Sequence, residues 1–135
     1  MSEQVTPTGD PRELLAGLPA DEPVVMINLL NFNDDTDGGA ERYIQYGREV
    51  TPHLEQVGAT IIYSGHLPKF VIGDGTHPWW DAILVVQYPT PAAFVQMVTS
   101  EEYAKVHEHR AASLESAELV ATSVWTLQDD FLPRG

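Results

Sequence analysis

The chain has 135 residues, 20 of them acidic and 7 basic, giving a formal charge of -13, and it contains no cysteine. That length supports one domain with a sizeable core. The charge disfavours nucleic acid and anionic membranes as partners, and the lack of cysteine excludes disulfides, thiolate catalysis, iron–sulfur clusters and cysteine-based zinc sites.

The N-terminal MSEQVTPTGD has neither the basic region nor the apolar stretch of a secretion signal. The most apolar run, Val24 to Leu30, is interrupted by Asn28 and falls far short of the roughly 20 residues of a membrane helix. A cytoplasmic protein is the expectation, with residues 1–9 draped or disordered. Asp10-Pro11-Arg12-Glu13 forms a capping box, with Asp as cap and Pro at the first helical position, and predicts a short helix that Gly17 ends. Residues 1–22 therefore read as an N-terminal segment, 23–128 as a single domain and 129–135 as a tail.

Strand one spans Pro23 to Phe32 and is apolar on both faces, so both need cover. Asn28 sits mid-strand and requires a buried partner or a ligand, whereas Asn31 lies close enough to the end to reach water. The acidic loop NDDTDGG lacks the glycine and bidentate glutamate placement of a calcium loop and reads as a solvated turn. A helix follows over Ala40–Val57, with Tyr43, Tyr46, Val50, Leu54 and Val57 as its buried stripe, a kink at Pro52 and a stop at Gly58.

Strand two starts at Ala59 and carries Ile61, Ile62, Tyr63 and His66, and Pro68 marks it as an edge or bent strand. A further extended piece over Lys69–Ile72 leads through the turn GDGTHP to strand three, Trp80–Tyr88. Thr90-Pro91 then caps one helical segment and Ser100-Glu101-Glu102 a second. On the second, Tyr103, Val106, His107, Arg110, Ala111 and Leu114 share one face. Strand four reads as Leu119 to Leu127, with Trp125 near its end.

The order β-α-β-β-α-β predicts an α+β fold of the ferredoxin-like kind, a four-stranded antiparallel sheet with two helices on one face. The other face remains apolar, which predicts a homodimer through the open sheet face. A His and an Arg on a stripe facing the sheet are the feature that packing does not require. Asn28, His66, Trp80, Tyr88, His107 and Arg110, with Tyr43, could converge on an apolar pocket with a few directed polar groups. They could equally be buried structural hydrogen bonds. His107 and His109 are two apart and point to different helix faces, so no metal site is expected. GDGTHP fits neither the dinucleotide fingerprint nor the P-loop, and no serine stands on a strand–helix elbow.

The stretches VVMINLLNF, YIQYGREVTPHLEQVGATIIYSG and TPAAFVQMVTSEEYAKVHEHR resemble DUF1330, a family of unknown function in the dimeric α+β barrel superfamily. The most specific part is the pattern of Ser100, Glu102, Tyr103 and Arg110. The N-terminal segment and the long loop ending in His77-Pro78-Trp79-Trp80 depart from it. The resemblance implies a homodimer and, among superfamily relatives, monooxygenases and isomerases that use His, Asn, Tyr and Arg in such a pocket.

One expectation is therefore a cofactor-free enzyme, monooxygenase- or isomerase-like, acting on a small aromatic or carbonyl compound. In it His107 is the general base, Arg110 holds a carboxylate or enolate, and Asn28 polarises a carbonyl. Tyr43, His66, Trp80, Tyr88, Met97 and Tyr103 would contact the substrate. A variant is haem binding, because SEEYAKVHEHR is similar to the corresponding helix of haem-degrading monooxygenases. Asn28 and His107 match two of their three residues, with Met97 at the position of their Trp. The remaining alternative is a non-catalytic small-ligand-binding or structural dimer.

Overall fold

The computed structural model describes residues 9–34 and 38–125. The readings made for residues 1–8, for the middle of the acidic loop, for strand four beyond Trp125 and for the 129–135 tail lie outside the described residues.

Helix α1 is Pro11–Leu14, capped by the Asp10 carboxylate, which accepts from the Arg12 amide at 2.9 Å. It stops at Leu15, before Gly17. The remaining elements are β1 (Val24–Phe32), α2 (Gly39–Gln56), β2 (Thr60–His66), β3 (Ala82–Tyr88), α3 (Pro91–Val98), α4 (Glu101–Ser113) and β4 (Leu114–Ser123). The strands form one antiparallel sheet in the order β2-β3-β1-β4, which is the ferredoxin-like arrangement.

Helix α2 passes through Pro52, which lies on its exposed side. Arg48, whose carbonyl Pro52 leaves without its helical donor, is also an exposed residue. The helix ends in a Schellman motif: Gly58 donates to the Glu55 carbonyl at 3.1 Å and Ala59 to the Leu54 carbonyl at 2.8 Å. Gly58 supplies the left-handed turn at φ 78°. At the other end Gly39 presses on backbone, since an added Cβ would stand 2.6 Å from the Asn33 carbonyl oxygen and 2.7 Å from that of Ser113. Caps at Thr90 and Ser100, each accepting from an amide three residues on, divide the second helical region as its sequence predicts.

Two readings differ from the structure. β4 begins at Leu114, five residues before the expected Leu119, and closes at Ser123, so Trp125 lies beyond it. Leu114 continues the apolar spacing of α4, yet its backbone is extended, and it packs with Leu30 and Ala111. Either conformation would have buried it. The piece Lys69–Ile72 is not a strand, and Val71 and Ile72 are 96% and 95% exposed. Leu67 turns the chain at φ 57° and Pro68 follows, which removes this stretch from the sheet.

The register sorts the faces. Val24, Met26, Asn28 and Leu30 of β1 pair with Tyr88, Val86, Leu84 and Ala82 of β3 and look toward the helices. The core lies there, built from Val24, Met26, Val86 and Tyr88 against Tyr46, Val50, Leu54, Phe94, Met97, Tyr103 and Val106. Val25, Ile27 and Leu29 share the opposite face with Ile83, Val85 and Val120. Among the described residues no helix covers them, and all remain at least partly exposed. Among the described residues no helix is long and apolar enough to cross a membrane.

Candidate functional site

Between the sheet and the helices lies a cavity of about 1170 Å³, walled largely by apolar side chains. Among its polar groups are Asn28 from β1, Tyr43 and Tyr46 from α2, Tyr88 from β3, Tyr103, His107 and Arg110 from α4, and Ser116 and Glu118 from β4. The helical spacing of α4 brings its three residues to one face, and α2 packs alongside, so both helices present aromatic and polar groups to the sheet.

Arg110 is 6% exposed. Its guanidinium donates to the Asn28 side-chain oxygen at 3.4 Å, and the Asn28 amide donates to the Leu84 carbonyl at 3.0 Å. The strand carbonyl thus fixes the amide, with its oxygen turned to the cation. Among the described residues no carboxylate forms an ion pair with Arg110.

The Tyr46 and Tyr103 hydroxyls share a hydrogen bond of 3.0 Å. Two buried polar atoms have no partner among the described residues, the Tyr43 hydroxyl and Nδ1 of His107. Burial raises the pKa of Tyr43 against the opposing pull of Arg110, and burial likewise raises those of Tyr46 and Tyr88. The tyrosines therefore remain neutral donors at physiological pH. Burial first, and Arg110 second, lower the pKa of His107, so its ring is an uncharged base at neutral pH. The site holds one positive charge, several neutral hydroxyls and a free imidazole nitrogen.

Of the residues picked from sequence, Asn28, Tyr43, Tyr88, Met97, Tyr103, His107 and Arg110 line this cavity. His66 and Trp80 do not. His66 is exposed on β2, opposite Ala82, and is not among the residues that line the cavity. Trp80 is half-buried in the loop before β3, and its neighbour Trp79 faces the cavity instead. An irregular loop has no period from which to tell the two apart. Tyr46 and Phe94 also line it, Tyr46 on the same stripe as Tyr43, and Leu14 of α1 and the following Leu15 add to the wall. His109 turns away and pairs with Glu49 of α2 at 3.1 Å. Among the described residues no three His, Asp or Glu are grouped to hold a metal ion.

A four-stranded ferredoxin-like sheet with a polar-tipped cavity under its helices defines a class, the small α+β proteins of this fold. Residues 29–124 match the family described as domain of unknown function DUF1330, and the chain belongs to that family. It is similar to RPA0582, a protein of unknown function from Rhodopseudomonas palustris, at 27% identity and a TM-score of 0.79, over 93% of this chain and 99% of that one. A dimeric protein of unknown function and ferredoxin-like fold from Bacteroides fragilis matches at 14% identity and a TM-score of 0.54, over 78% and 100% of the two chains. A variant of SnoaB, a cofactor-independent oxygenase from Streptomyces nogalater, matches at 14% identity and 0.55, over 79% and 98%. At these last two identities the likeness is one of fold. No curated protein matches the chain significantly.

Proposed function

We propose that the cavity binds a small aromatic or carbonyl compound and that the protein acts on it without metal or organic cofactor, through His107 as base. The observation that carries this reading is the unpartnered Nδ1 of His107, buried in the cavity on a ring whose pKa is lowered. A neutral imidazole needs both nitrogens satisfied, and a substrate would supply the missing partner. A C–H beside a carbonyl could give its proton to that nitrogen. Its electron pair would move onto the carbonyl oxygen, where the donors of Arg110 and Tyr43 stand. The cofactor-independent oxygenase of the same fold supports the reading at the level of scaffold only.

The working unit in this reading is a homodimer in the cytoplasm, joined through the open sheet face. Its support is the contiguous apolar row Val25, Ile27, Leu29, Ile83, Val85 and Val120, and the dimeric state of the Bacteroides neighbour.

The test is a thermal-shift screen with phenols, quinones, haem and short carboxylic acids, followed by turnover assays on whatever binds. His107→Ala is expected to abolish binding or turnover while the melting temperature barely moves. Unchanged affinity, with a stability loss of about 1–3 kcal/mol from an orphaned partner, would show a structural histidine and refute the reading.

A further inference from the structure

We propose that the ligand is a monocarboxylate on a flat apolar body, and that Arg110 is its counter-ion. This rests on the small-molecule reading of the cavity and specifies the charge and shape of what enters it.

A guanidinium taken out of water is a costly group unless an anion accompanies it. Arg110 is almost fully buried, and the side-chain hydrogen bond it makes to Asn28 is long and goes to a neutral amide. Among the described residues that line the cavity it is the only Lys or Arg, and Glu118 is the only acid. Glu118 is exposed and pairs in register with Leu29, on the sheet face opposite Asn28, so it does not neutralise Arg110. The described residues around the guanidinium therefore leave it with a net positive charge of one.

Its donors fit a carboxylate. The guanidinium offers parallel N–H groups to two oxygens, and the Tyr43 hydroxyl, without a hydrogen-bond partner among the described residues, lines the same cavity. A dianion such as a phosphate monoester would exceed the single positive charge and be left half-neutralised. The rest of the cavity sets the body. Tyr46, Tyr88, Phe94 and Trp79 present aromatic surface, and Met26 and Met97 give adaptable apolar walls. The chain's charge of -13 does not prevent entry, because charges farther than about 8 Å are screened at physiological ionic strength.

The experiment compares four probes of one shape by calorimetry and thermal shift: 2-naphthoate, 2-naphthamide, 2-naphthol and 2-naphthyl phosphate. Naphthoate is expected to bind at least about tenfold more tightly than each of the others. Arg110→Met should bring naphthoate down to the level of the amide, and Arg110→Lys should keep part of the preference. Arg110→Met should also melt no lower than the parent without ligand, since it removes an uncompensated charge. If the amide, the alcohol or the phosphate binds as well as the acid, the carboxylate proposal fails and the cavity remains a ligand site. If none of the four binds, both readings fail. A marked fall in melting temperature for Arg110→Met, together with equal binding of the acid and the amide by the parent, would make the cation structural and overturn its role as counter-ion. Should that variant not fold, the comparison of the four probes on the parent protein still decides the case.

Discussion

Ile27→Glu separates assembly from folding. Ile27 lies at the centre of the helix-free sheet face, with Val85 on one side and Val120 on the other. In an isolated chain it is only partly covered, so a carboxylate there stays hydrated. Its cost to the fold is then one of strand preference and lost partial burial, about 1 kcal/mol. Between two stacked sheets the same carboxylate would be buried without a partner, at about 3–5 kcal/mol per chain. Two-fold symmetry doubles this to about 6–10 kcal/mol, which weakens the dimer by at least about 10⁴-fold. Sedimentation or light scattering over a concentration series should show a parent dimer at micromolar concentration and a monomeric variant, with matching circular dichroism. Leu29→Lys, whose ammonium meets Glu118 across the strand pair, serves as a second variant with an intact sheet. A dimeric Ile27→Glu protein at about 10 µM, or a monomeric parent, would refute the interface.

Tyr46→Phe alone should cost about 1–3 kcal/mol, because it orphans the buried Tyr103 hydroxyl. Adding Tyr103→Phe should recover most of that loss in chemical denaturation, whereas simple addition of the two losses would dismiss the pair as a unit. For pH, the folded pKa of His107 lies below its usual 6.5, so the unfolded chain takes up the proton first. The contribution of His107 to stability is then complete above that usual value and falls as pH drops through it toward the folded pKa. His107→Ala should melt with a shallower dependence between neutral and mildly acid pH, and an unchanged slope would contradict the lowered pKa.

Where the chain announces itself by local chemistry, sequence and structure agree. Thr90 and Ser100 cap their helices because a hydroxyl followed by free amides has few other uses, and Pro68 closes an edge strand because it cannot donate to a ladder. Much of the candidate site's lining is legible for a related reason: Asn28 on a buried strand and Arg110 on a buried stripe are expensive residues, and expense is visible in a pattern. The start of β4 was not legible. Glu115, Ser116 and Glu118 make it look like a loop, since an edge strand with an exposed face needs few apolar residues. For His66 and Trp80 the sequence offers residue type and no period, and where a loop carries Trp79 depends on packing that no period encodes.

The seam between α4 and β4 sets a constraint on how such a chain can vary. Ser113 ends the helix, Leu114 opens the strand, and no residue stands between them. Ser113 is fully buried, and its hydroxyl donates to the Arg110 carbonyl at 2.7 Å. Helix and strand are therefore geared together without slack. One inserted residue would either turn the helix by about 100° and swing Arg110 off the cavity, or exchange the two faces of β4. The position of the cation and the register of the edge strand can drift only as one, so lengthening during divergence belongs in the loops after β2 and before β1, and this joint should keep its length.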